Sequence, residues 1–214
     1  STAADLGTAF GASGNMPQAQ YIAFWNNFAW VANTYESGTG YRSRVRWSNT
    51  NTPETWSAED YVDIDVGEHG DQITGLVAAG DRLIVFKTNS VYAIFGFDSD
   101  SFQVVTLSND VGAVELSSPV NTPVGTFFWH AQEGIYVYDG QSFTWLFSKL
   151  QPAIDNQQIT FGSTPQIAWG NNKLYVSLDY SADAATARRT YIYDPSLGQG
   201  GAWVATDIDA GPLF

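Results

Sequence analysis

Two histidines, a set of clustered carboxylates and no cysteine make up the reactive inventory of this chain. Asp63, Asp65 and Asp71 fall close together with Glu68 between them, and paired carboxylates of this kind could supply an acid and a base for glycoside hydrolysis. The other reading of the same residues is the acidic edge of a sheet. His69, in Gly67-Glu-His-Gly-Asp71, reads as a solvated turn residue, and His130, closing Thr126-Phe-Phe-Trp129, as a packed or edge residue. Zinc needs three or four ligands at suitable spacing, and no histidine pair supplies them. Asp98-Ser-Asp100 lacks the further ligands and glycine of a calcium loop. A serine nucleophile would need a partner base, and neither histidine has a recognisable context for it. Gly75, Gly80 and Gly96 precede no helix start and so form no phosphate cradle. No catalytic, cofactor-binding or metal-binding residue is therefore assigned, and the expectation is a protein that is not an enzyme.

Composition narrows the classes further. Nine Lys and Arg stand against 22 Asp and Glu, a formal net charge of −13, which disfavours sequence-specific nucleic-acid binding. An acidic wall could still line a passage to which DNA must not adhere. Absence of cysteine rules out disulfides and thiolate metal sites and leaves the redox compartment open. No apolar run is long enough for a membrane-spanning helix. Ser1-Thr-Ala-Ala-Asp5 lacks the marks of a signal peptide. A start without Met and an apolar end, Gly211-Pro-Leu-Phe214, read as a processed product or a segment of something longer.

The elements that would position these residues are strands. Eight Trp, 11 Tyr and 13 Phe with 14% charged residues favour pleated sheet, and 20 Gly and eight Pro supply turns. After an extended segment over residues 1–19, four units follow at about 20–66, 71–110, 118–147 and 165–206, within a β-propeller-like domain spanning 20–214. Asn26-Asn27 and Asn171-Asn172 separate apolar runs as hairpin turns, and Asp139-Gly140 does the same in the third unit. Leu83-Ile-Val-Phe86 is apolar throughout, as in a strand covered on both faces. Tyr41-Arg-Ser-Arg-Val-Arg-Trp47 alternates, which predicts one wet face. A helix is expected at 148–158, capped by Ser148, and an exposed loop at Ser181–Arg189. Trp residues falling in strands are read as core rather than as sugar platforms. The fold class is thus all-β: a propeller-like array of about four antiparallel blades, an arc of a larger or irregular propeller, with one short helix.

Ser48-Asn-Thr-Asn-Thr-Pro-Glu-Thr-Trp56 is faintly similar to the Asp-box of sialidase-like propellers, but the Asp and Gly are missing and the reading is rejected. A broader likeness rests on Val45-Arg-Trp-Ser48, Pro53-Glu-Thr-Trp56, Asp71-Gln-Ile-Thr-Gly-Leu-Val77, Gly80-Asp-Arg-Leu-Ile-Val-Phe-Lys87, Ser90-Val-Tyr92, Asp110-Val-Gly-Ala113 and Gly134-Ile-Tyr-Val-Tyr-Asp-Gly140. In their order and spacing, over not quite half the chain, these resemble the β-propeller virion proteins of tailed bacteriophages called tail, nozzle or stabilisation proteins. The resemblance implies a structural role in the virion: copies self-associating into a ring with other tail proteins around a channel, in passive contact with translocating DNA. It transfers no catalytic residue and no cofactor. Two alternatives from the residues alone are a glycan-binding or adhesion propeller, on its aromatics, and a carbohydrate-active enzyme, on its clustered acids.

Overall fold

The computed structural model describes residues 15–66, 71–115, 119–147, 165–180, 187–197 and 202–206. Among them it has sixteen strands in four sheets, every pairing antiparallel and between chain neighbours. Such an up-and-down four-stranded meander is the blade of a β-propeller. The described residues are thus all-β and form four such blades, as the repeat pattern predicts. The residues expected to form a helix, 148–158, lie outside those described. Contacts divide the chain into two compact units, Ser1–Glu115 and Leu116–Phe214.

In the first unit, blade one comprises β1 (Gln18–Trp25), β2 (Phe28–Glu36), β3 (Thr39–Asn49) and β4 (Thr52–Asp63). Blade two comprises β5 (Ile73–Ala79), β6 (Arg82–Lys87), β7 (Val91–Phe95) and β8 (Gln103–Ser108). β1 takes in Gln18 and Ala19 from the stretch read as an extended lead-in. Asn26 and Asn27 adopt φ of 50° and 65° between the paired Trp25 and Phe28, the two left-handed positions of a type I′ turn. Trp30, Trp47 and Phe28 crowd around Phe102, with ring centroids 4.8, 5.2 and 5.3 Å from it. Because Phe102 leads into β8 while the others stand on β2 and β3, this aromatic knot joins the two blades. Leu83, Val85, Tyr92 and Ile94 of blade two belong to the same core. At one end the Trp25 indole donates to the Gly80 carbonyl (3.1 Å) and the Asn26 amide to that of Gly96 (3.2 Å), so the hairpin tips are tied as well.

After β8 the chain returns to blade two, where Ala113 N–H donates to the Lys87 carbonyl at 2.9 Å. Gly112 allows that approach. A Cβ there would sit 2.4 Å from the Thr88 carbonyl oxygen, 2.5 Å from Asn89 N and 2.5 Å from the Lys87 carbonyl oxygen. All three are backbone atoms, so no side chain can swing aside. Gly112→Ala is expected to destabilise the first unit by about 3 kcal/mol, the upper end for forced overpacking, readable as a lower denaturant midpoint.

In the second unit, blade three comprises β9 (Val120–Thr122), β10 (Gly125–His130), β11 (Gly134–Tyr138) and β12 (Phe143–Trp145). Blade four comprises β13 (Gln166–Gly170), β14 (Lys173–Tyr180), β15 (Ala187–Asp194) and β16 (Ala202–Thr206). Its core repeats the aromatic solution. Phe127 stacks on Trp169 at 5.8 Å, Trp129 meets Phe147 edge-on at 5.3 Å, and Phe147 meets Trp203 at 5.7 Å. Asn171 and Asn172, at φ of 50° and 58°, repeat the Asn-Asn turn.

Two local expectations are corrected. Ala187, Arg188 and Arg189, read as part of an exposed loop, are strand residues paired with Tyr180, Asp179 and Leu178, and residues 181–186 lie outside those described. The predicted wet face of β3 is wet at Arg42 but not beyond it. Arg44 and Arg46 are 9% and 3% exposed, because carboxylates from both neighbouring strands meet them inside the blade.

Candidate functional site

Register brings four charged side chains of blade one, Glu36, Arg44, Arg46 and Asp63, to a single place. Arg44 pairs across with Asp63 and Arg46 with Tyr61, so these four residues share a face of the β3–β4 ladder. Glu36, the last residue of β2, reaches the same face. Arg44 clamps Asp63 with two parallel bonds, Nε to Oδ1 at 2.7 Å and Nη2 to Oδ2 at 2.8 Å. Arg46 donates from Nε and Nη2 to the two oxygens of Glu36, both at 2.7 Å. Arg44 Nη1 reaches Glu36 Oε2 at 3.3 Å, linking the two pairs into one network. Thr34 adds a hydroxyl donor to Glu36, and Arg46 Nη1 donates to the Ala58 carbonyl at 2.9 Å.

Two cations and two carboxylates make the cluster neutral, which is what allows it to be buried. The Arg44 guanidinium also lies between the rings of Tyr41 (3.8 Å) and Tyr61 (3.9 Å), a geometry in which ring faces favour the cation. Burial works to raise the Glu36 pKa, but the bonds from Arg46 and Thr34 and the charges of Arg46 and Arg44 outweigh it and hold the carboxyl below its ordinary value. The bond to Asp63 raises Arg44 despite its burial. Beside the network opens a cleft of about 300 Å³ lined by Gly40, Tyr41, exposed Arg42, Ser43, Arg44 and Asp63.

The remaining sequence candidates lie one step further along. Asp65, at φ 47°, accepts the Tyr92 hydroxyl at 2.9 Å. Asp71 accepts from Ser90 Oγ at 2.9 Å and from Asn89 N–H at 3.2 Å. Between the two blades Lys87, fully buried, donates to the carbonyls of Ile64 and Asp65, both at 3.1 Å. Ser43 is the hinge between the two groups, giving its hydroxyl to the Asp71 carbonyl and taking the Ile64 N–H on its own carbonyl.

So the structure assigns Asp63, Asp65 and Asp71 separate partners on one polar seam. Glu68 and His69 lie outside the described residues. Among the described residues no group of three His, Cys, Asp or Glu converges as a metal site. No helix among them is long and apolar enough to cross a membrane. Sequence reasoning missed Glu36 and Lys87, the two residues on which the seam turns. The available signal was a lone acid ending an apolar strand beside alternating arginines, and a lone lysine ending another.

Burial drives the Lys87 pKa down, against the opposing pull of Asp71 and Asp65. The folded state therefore holds this proton less tightly than the unfolded chain, so the Lys87 contribution to stability must rise with pH between its folded and unfolded pKa values. A Lys87→Met variant is expected to lose that rise, which lies on the alkaline side below the ordinary lysine value of 10.5. Urea unfolding across the window measures it.

His130 stands at the end of β10, its side chain 14% exposed. Its Nδ1 accepts the N–H groups of Gln132 (3.4 Å) and Glu133 (3.2 Å). Burial lowers its pKa, opposed by Glu133.

No protein-family model matches the chain, and no curated protein matches it. Among solved structures it is similar to the N-terminal domain of Nup159, at 9% identity over 91% of this chain and 62% of that one, with a TM-score of 0.36. It is also similar to a chain in the complex of S. cerevisiae Dbp5 with Nup159, Gle1, IP6 and ADP, at 11% identity over 94% of this chain and 63% of that one, with a TM-score of 0.34. The chain spans less than two thirds of either. Likenesses this weak carry nothing about function.

Proposed function

We propose that the chain is a structural, non-catalytic virion protein, a subunit of the tail tube or nozzle of a tailed phage. What supports this most is where the segments carrying the resemblance fall on the blades. Val45-Arg-Trp-Ser48 holds Arg46 and Trp47, one in the ion network and one in the aromatic knot. Gly80-Asp-Arg-Leu-Ile-Val-Phe-Lys87 runs from the tip tied by Trp25 to the lysine buried between blades. Asp110-Val-Gly-Ala113 contains the glycine that lets the chain return against blade two. These are the positions that stiffen the sheets. A subunit that self-associates with other tail proteins around a DNA passage needs stiffness, and a net charge of −13 would keep DNA from adhering to its surface.

Imaging of native particles with a label on this chain tests the reading, alongside light scattering of the purified protein. The expected results are label on the tail below the head and a ring of several copies. A monomer that never accompanies particles would overturn it.

A further inference from the structure

One hairpin tip of blade three carries more chemistry than its sheet requires. Tyr136 and Trp145 are cross-strand partners, so their rings stand on the same side of the β11–β12 ladder. Tyr136 is buried, whereas Trp145 is 38% exposed. The Trp145 indole is nevertheless held in place, its Nε1 donating to the Glu133 carbonyl at 2.6 Å. The Glu133 side chain is 51% exposed, and its Oε2 accepts the Tyr136 hydroxyl, which places the carboxylate by the same face. His130 packs edge-on against Tyr136 at 5.7 Å, its Nδ1 lying 3.8 Å from Glu133 Oε2. Because that Nδ1 accepts two backbone N–H groups, the neutral ring carries its proton on Nε2. Neither Glu133 Oε1 nor His130 Nε2 is bonded among the described residues. Burial, then the bond to Glu133, pushes the Tyr136 hydroxyl up to about 12, so it remains a donor that orients the carboxylate.

We propose that this tip is a pyranose-binding site, with Trp145 as the stacking face and Glu133 and His130 as hydroxyl partners. A pyranose presents polarised C–H bonds on its faces and hydroxyls around its rim. The negative face of an indole suits the first. An adjoining acceptor and donor suit neighbouring hydroxyls, each of which can both give and take a proton. Trp145, Tyr136 and Glu133 are oriented before any ligand arrives, so little ordering opposes binding. A shallow contact with one sugar ring implies a millimolar dissociation constant. The site is independent of the assembly role, since either could fail alone.

The test follows the Trp145 indole N–H resonance of the ¹⁵N-labelled protein during titration to tens of millimolar. The probes are methyl glycosides of glucose, galactose, mannose and N-acetylglucosamine, and tetramethylammonium. The expected result is a saturable shift with at least one glycoside, fluorescence-detected binding lost in Trp145→Ala, and affinity weakened about tenfold in Glu133→Gln by loss of a charged acceptor. Trp145→Phe keeps a ring on the edge strand and guards against an unfolded alanine variant; it should retain binding more weakly. No saturable shift with any glycoside, affinity unchanged in Glu133→Gln, or a response to tetramethylammonium alone would each overturn the proposal.

Discussion

Replacing Glu36 with alanine should destabilise the first unit by about 3–5 kcal/mol, the cost of removing one partner from a buried charge network. Two guanidiniums lose an acceptor at once. Arg46 loses both of its bonds to Glu36 and is left with the Ala58 carbonyl and the Tyr61 ring beside it, while Arg44 falls back on Asp63. The cluster also changes from neutral to positive inside the blade. Glu36→Gln should cost less, since the amide oxygen still accepts one bond. The pH dependence has a defined sign. With a folded pKa held below its ordinary 4.5, Glu36 contributes stability that is fully present above that value and lost as pH falls through the folded pKa. The wild-type protein should therefore lose stability on acidification below about pH 4.5 more steeply than Glu36→Gln. Denaturant midpoints of the three proteins at neutral and acid pH separate the lost charge from the lost bonds.

Trp30→Ala should cost a similar amount, about 3–5 kcal/mol, for an unrelated reason. Trp30 is fully buried and touches Trp25, Phe28, Trp47 and Phe102 within 6.2 Å between ring centroids. Removing the indole opens a cavity bounded by four rigid aromatics on three strands and a strand entry, which cannot all collapse into it. Its Nε1 bond to the Trp25 carbonyl disappears too. Because Phe102 belongs to blade two, the loss loosens the joint between blades as well as blade one. Thermal unfolding should show the effect, insensitive to pH and salt. That insensitivity distinguishes it from Glu36→Ala.

The ladder was legible in the chain because strands and turns are decided locally. Asn-Asn pairs between apolar runs tolerate the left-handed backbone that a two-residue hairpin needs, and Asn26, Asn27, Asn171 and Asn172 adopt it. An all-apolar run such as Leu83-Ile-Val-Phe86 can be stable only when covered on both sides, and all four residues are buried. All eight tryptophans lie in strands, and Trp25, Trp30, Trp47, Trp56 and Trp129 are core residues; Trp145 is exposed.

Charge behaves differently, and the candidate site shows why. Alternation along β3 says that Arg42, Arg44 and Arg46 share a direction, but not what meets them there. Glu36 comes from the far end of β2 and Asp63 from the far end of β4, so whether those arginines are solvated or enclosed depends on the register of two other strands. The same holds for Asp63, Asp65 and Asp71. Near one another along the chain, they are drawn to Arg44, Tyr92 and Ser90, residues brought close only when the blades fold. Backbone conformation answers to a residue and its neighbours, whereas the energy of a charge answers to whatever surrounds it in space.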